Sequence, residues 1–101
     1  MTKDILRKIA EIHKALSAPM RLAIMQILYG KDQNVNNIIE IIREEYQVKN
    51  MDRTNISKHL TLLKSLGIIS CISQGQKRLY HLEARCLMGA ISCTLDAVMQ
   101  G

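Results

Sequence analysis

The chain has 101 residues, 48% of them hydrophobic and 23% charged, with a net charge of +5 and three tyrosines as its only aromatic side chains. That length suits a single domain over residues 1–101 whose small core leaves it marginal, a shortage that association with a second copy would relieve. No stretch approaches the length of a membrane span, and the N-terminus lacks the apolar run and cleavage pattern of a secretory signal, so a cytoplasmic protein is expected.

In chain order, Ile5, Ile9, Ile12 and Leu16 recur at helical spacing and predict a first helix over residues 3–16. Pro19 disfavours helix at Ala18 but suits the first turn of a second helix. The apolar positions of that helix are Leu22, Ile24, Met25, Ile27 and Leu28, and Gly30 is expected to close it in a left-handed conformation. "KDQN" is polar punctuation, and Asn34 or Asn36 caps a third helix built on Ile38, Ile39, Ile41, Ile42 and Tyr46. "QVKNM" reads as the next turn. Asp52 is the natural N-cap of a fourth helix with core positions Ile56, Leu60, Leu63 and Leu66, ending beside Gly67.

Beyond Gly67 the period changes. "IISCIS" and "KRLYHL" are short β-capable runs, and Gly75 in the intervening "QGQ" permits the positive φ of a hairpin turn. From Glu83 to Met99 the spacing of Leu87, Ile91, Leu95 and Val98 predicts a final helix. The order is α-α-α-α-β-β-α, mostly helical with one β-hairpin.

The charge is concentrated. Lys49 to Arg85 holds seven basic and two acidic residues, while the rest of the chain holds seven of each. Localised positive charge is the footprint of a polyanionic partner, though lysine also serves solubility. Between the core positions of the fourth helix stand Arg53, Thr54, Asn55, Ser57, Lys58 and Thr61. Asn pairs with adenine, Ser and Thr adapt to base edges or phosphate, and Arg or Lys neutralises phosphate. The same composition also describes an ordinary solvated helix face. What separates the two readings is context: two helices joined by a turn, then a basic hairpin, is the order of a winged helix-turn-helix, whose recognition helix enters the major groove of double-stranded DNA. Gln74, Gln76, Lys77 and Arg78 then form the tip of the wing.

"ALSAPMRLAIMQIL", "ISKHLTLLKSLGII" and "GQKRLYHL" together resemble, in order, the second helix, recognition helix and wing of ArsR-type repressors. The resemblance implies a homodimer joined through its N- and C-terminal helices, a palindromic operator and release by an effector. It also brings His59 into the DNA-facing set through the "S-x-H-L" string; a place bordering the core beside Leu60 is the competing reading. The chain departs from the family pattern in the length of "IIREEYQVKN", read as a longer third helix or a longer turn.

The family's effector sites are not reproduced. "NVNNII" lacks the paired cysteines of the arsenic-type site, and the positions matching the zinc-type site are Ala84, Cys86, Ala97 and Gln100, of which Cys86 alone could ligate. The position matching a persulfide-sensing cysteine of the second helix is Gln26. Cys86 and Cys93, seven residues apart, are expected on one face of the last helix, as packed small side chains or as a soft-metal or thiol-switch site. Cys71 is read as packing, and His13, His59 and His81 lack metal-ligand spacing. No nucleophile elbow, metalloprotease motif or phosphate-binding glycine loop is present, so an enzyme is not expected. The alternative function is a winged-helix docking module that does not read DNA.

Overall fold

The computed structural model describes residues 1–48 and 52–100. Its elements are α1 (Lys3–Ala15), α2 (Pro19–Gly30), α3 (Val35–Glu45), α4 (Arg53–Ser65), β1 (Ile69–Gln74), β2 (Lys77–Leu82) and α5 (Leu87–Gln100), the expected order. Part of the turn expected at "QVKNM", together with Lys49 of the basic segment, lies outside the described residues.

Local chemistry sets most boundaries. The Thr2 Oγ1, Asn34 Oδ1 and Asp52 Oδ1 atoms accept from the backbone N–H of Ile5, Asn37 and Asn55 at 3.2, 2.8 and 2.8 Å, capping α1, α3 and α4. Pro19 opens α2, where its missing N–H costs nothing. At the end of α4, Gly67 takes φ +74°, Gly67 N–H donates to Lys64 O, and Ile68 N–H donates to Leu63 O. That pair of bonds is a Schellman closure, which satisfies two carbonyls that the helix end would otherwise orphan. Gly75, at φ +63°, takes the first position of the two-residue hairpin turn, and β1 and β2 pair from Ile69–Leu82 out to Gln74–Lys77.

The core is one apolar cluster. Ile24, Met25 and Leu28 of α2 meet Ile38 and Ile42 of α3, Ile56, Leu60 and Leu63 of α4, and the inner end of the hairpin at Ile69 and Leu82. Each fully buried side chain of this kind stabilises by about 1.5–3 kcal/mol relative to exposure. No polar side chain is buried among the described residues. α1 and α5 contribute little to this centre: Ala15 and Met88 are their only buried residues.

Four expectations need correction. Gly30 is the last residue of α2 and is not left-handed; Lys31 follows in extended geometry, carrying the chain to Gln33, which bridges Tyr80 of β2 through Gln33 N–H to Tyr80 O (3.3 Å) and Tyr80 N–H to Gln33 O (2.8 Å). Tyr46 is exposed at the end of α3 rather than in the core, because α3 stops at Glu45 and Gln47 turns the chain at φ +54°. The additional length noted at "IIREEYQVKN" thus falls partly in a turn. Leu66 is only partly buried, being the C-cap of α4 rather than part of its inner stripe.

Finally, α5 begins at Leu87, four residues later than expected. The N–H groups of Glu83 and Ala84 both bond to Ile68 O, at 2.9 and 3.1 Å. Arg85 donates from Nη2 to Tyr29 O at 3.0 Å, with its guanidinium 4.6 Å from the centre of the Tyr29 ring. These contacts hold residues 83–85 against the body of the domain, so the helix starts only beyond them.

Candidate nucleic-acid interface

The interface is built around α4. Its inner positions are occupied by core residues, so the helical period turns Arg53, Thr54, Asn55, Ser57, Lys58 and Thr61 outward, and all six are exposed. Five of them fall in two rows. Thr54, Lys58 and Thr61 run along the outward face at spacings of four and three, while Arg53 and Ser57, four apart, border a cleft of about 410 Å³. Across that cleft stand Gln76, Lys77 and Arg78 of the hairpin tip, with Asn34 and Asn36 of the α3 entrance closing its end. Three cationic side chains from two elements, Arg53, Lys77 and Arg78, therefore share one open hollow.

The hairpin is held in place at its base. Besides the Gln33–Tyr80 bridge, His81 Nδ1 lies 2.7 Å from Asp32 Oδ1. The α2–α3 connection is thus tied to β2 by a single antiparallel bridge and a side-chain contact, which fixes where the wing leaves the domain. Arg53 is oriented too: its Nη1 donates to Asn36 Oδ1 at 3.3 Å.

His59 differs from its neighbours. It is half-buried on the flank of α4, and desolvation, with Arg21 nearby as the second cause, lowers its pKa from the ordinary 6.5. The shift favours the neutral imidazole, which keeps one N–H to donate. Sequence reasoning did not anticipate Asp32, Gln33, Asn36 or Tyr80 near this surface. "KDQN" signalled a loop, but not the strand that the loop would pair with.

The cysteines are arranged differently from expectation. Cys86 lies in the turn before α5 and Cys93 within the helix, so the spacing between them is not purely helical. Both thiols are exposed, Cys71 is half-buried on β1 opposite Tyr80, and no three His, Cys, Asp or Glu side chains among the described residues are grouped to hold a metal.

The three-helix core, the outward polar helix and the hairpin beside it define a winged helix-turn-helix domain. No family model matches the chain. It is 31% identical over 90 residues to the transcriptional repressor SdpR of Bacillus subtilis strain 168, covering 89% of this chain and 92% of that protein. It is 28% identical over 96 residues to the HTH-type transcriptional repressor SmtB of Mycobacterium tuberculosis, 95% of this chain and 64% of that protein. In fold it is similar to a homodimeric winged helix-turn-helix DNA-binding domain from Mycobacterium bovis, a possible ArsR-family transcriptional regulator, with a TM-score of 0.80, 22% identity and coverage of 99% of this chain and 92% of that one. The chain belongs to the ArsR family of winged helix-turn-helix transcriptional regulators. No helix among the described residues is long and apolar enough to cross a membrane.

Proposed function

We propose that the chain is a cytoplasmic transcriptional repressor that binds a palindromic operator as a homodimer. The observation that carries this reading is the shared cleft: Arg53 from α4 and Lys77 and Arg78 from the wing converge on one hollow beside an exposed row of Thr54, Lys58 and Thr61. A helix of that polarity fits the major groove, and a cationic hairpin beside it fits the flanking phosphates. Asn55 and Ser57 add hydrogen-bonding groups to the same helix, and His59 on its flank offers an N–H to a phosphate.

The dimer is supported by what α1 and α5 leave uncovered. Ile5, Leu6 and Ile9 on α1 and Leu95, Val98 and Met99 on α5 are exposed. A hollow lined by Leu16, Leu22, Ile91, Leu95 and Val98 lies between the two helices and α2. Apolar surface of this extent marks an association site, and a two-fold axis through it would repeat α4 on both halves of a palindrome. Relief of repression through Cys86 and Cys93 is the regulatory part of the proposal, supported by their exposure, Cys86 just before α5 and Cys93 within it.

Binding of duplex DNA measured across a salt series tests the reading. Neutralised phosphates release counterions, so the logarithm of affinity should fall with the logarithm of salt at about 0.9 per phosphate contacted. A flat dependence, or no duplex binding, would support the protein-docking alternative.

A further inference from the structure

Arg53 opens α4 with its guanidinium already engaged by Asn36, a residue 17 positions earlier on the first turn of α3. Asn36 has no part in capping its own helix. That task belongs to Asn34, whose Oδ1 takes the Asn37 N–H at 2.8 Å. Asn36 and Arg53 also border two separate hollows. One is the cleft shared with Ser57 and the wing tip; the other is lined by Ile39, Glu40 and Arg43. Arg53 therefore stands on a ridge between a cationic hollow facing the wing and a hollow lined by both Glu40 and Arg43. A long, flexible side chain at such a place has two destinations, and the hollow where Glu40 and Arg43 offset each other repels it less than the one holding Lys77 and Arg78.

We propose that Asn36 is a positioning residue for Arg53, holding it on the wing side of the ridge and presenting its guanidinium to a guanine in the major groove. Asn36 Oδ1 occupies one N–H of Nη1, and the planar fork keeps further donors for a base edge. The O6 and N7 acceptors of guanine match a guanidinium bidentately, which no other base edge in the major groove does as well. Orienting the fork before DNA arrives removes rotamer freedom that would otherwise be lost on binding, so the effect appears as specificity and affinity rather than as fold stability. This inference rests on the DNA-binding reading and assigns the part of that interface which selects sequence.

The experiment selects bound sequences from a library of randomised duplexes. It compares the wild-type protein with Asn36→Ala, Asn36→Asp, Arg53→Ala and the Asn36→Ala/Arg53→Ala pair, then measures affinity for the duplex the wild type prefers. The wild type is expected to select a guanine at one position in each half-site. Asn36→Ala and Arg53→Ala should both relax that preference and weaken the preferred duplex by about tenfold, while the double variant binds no more weakly than Arg53→Ala alone. Asn36→Asp, which retains the acceptor, should keep the guanine. Asn36→Ala should leave both the salt dependence and the melting temperature unchanged, since it removes neither a charge nor a buried group.

A wild-type profile without that guanine, an Asn36→Ala profile that retains it, or a further loss when Asn36→Ala is added to Arg53→Ala would overturn the inference while leaving DNA binding intact. Failure of the wild type to select any duplex would overturn the DNA-binding reading itself, and this inference with it.

Discussion

α4 and α5 are of nearly equal length, 13 and 14 residues, yet they are finished to different degrees within one chain. Every apolar residue on the inner stripe of α4 is shut away, with Ile56, Leu60 and Leu63 at 0–2% exposure, and its polar residues face outward. In α5 the outer half of the apolar stripe is uncovered, with Leu95 at 56% and Val98 at 69%. α1 resembles α5, with Ile5 at 47%. The difference separates two kinds of surface. A helix whose apolar face is already satisfied can offer its polar face to a hydrated, charged partner, whereas one whose apolar face is exposed lowers its free energy only by covering it.

The comparison breaks most sharply in the core. Leu60→Ala should destabilise the monomer fold by about 2–5 kcal/mol, from the lost transfer energy and the cavity left behind. Denaturant unfolding would measure it, and a loss below 1 kcal/mol would mean that α4 is not anchored as described. The next largest effect is expected at the other kind of surface. Val98→Glu combined with Leu95→Glu should abolish dimerisation and reduce duplex affinity by about a hundredfold or more, because each half-site would then be held alone. Sedimentation would read the first and titration the second, while circular dichroism should show the helices retained. A dimer that survives this pair would place its axis elsewhere.

A finer distinction lies in how α4 is started. Asp52→Ala removes the side chain that receives the Asn55 N–H, and should cost about 1 kcal/mol in thermal or chemical unfolding. The smallest effect belongs to His59. Its folded-state pKa lies below the ordinary 6.5, first through desolvation and then through Arg21, so the unfolded chain binds more protons in the window just below 6.5. The stability associated with the neutral ring is therefore present above that value and lost as pH falls through the folded-state pKa. A shallow decline setting in just below about pH 6.5 is expected, and His59→Gln should flatten it relative to the wild type. An identical decline in both proteins would assign it to another group.

Much of α4 was legible because its signals are local. Asp52 caps a helix within its own first turn, Gly67 closes it within the last, and the spacing of Ile56, Leu60 and Leu63 states which side is buried. The hairpin was equally legible through Gly75. Gly30 misled because a glycine after an apolar run signals a left-handed cap only when the chain must reverse there; here it continues extended toward Tyr80. The start of α5 misled because the expected helix reaches back to Glu83, one turn before its first periodic residue Leu87, and nothing local reveals that Ile68 O holds the N–H groups of Glu83 and Ala84.

The sequence by itself determined the elements, their order and the polarity of α4, since caps, turns and periodicity act over a few residues and need no distant partner. Only the tertiary structure decided that Asn36 meets Arg53, that Asp32 meets His81, and that Lys77 and Arg78 share a hollow with Arg53. Those contacts join residues 17 to 49 positions apart or bring separate elements together across a cleft. Their geometry depends on how the helices pack over the core, a property of the whole cluster that no short stretch of chain carries.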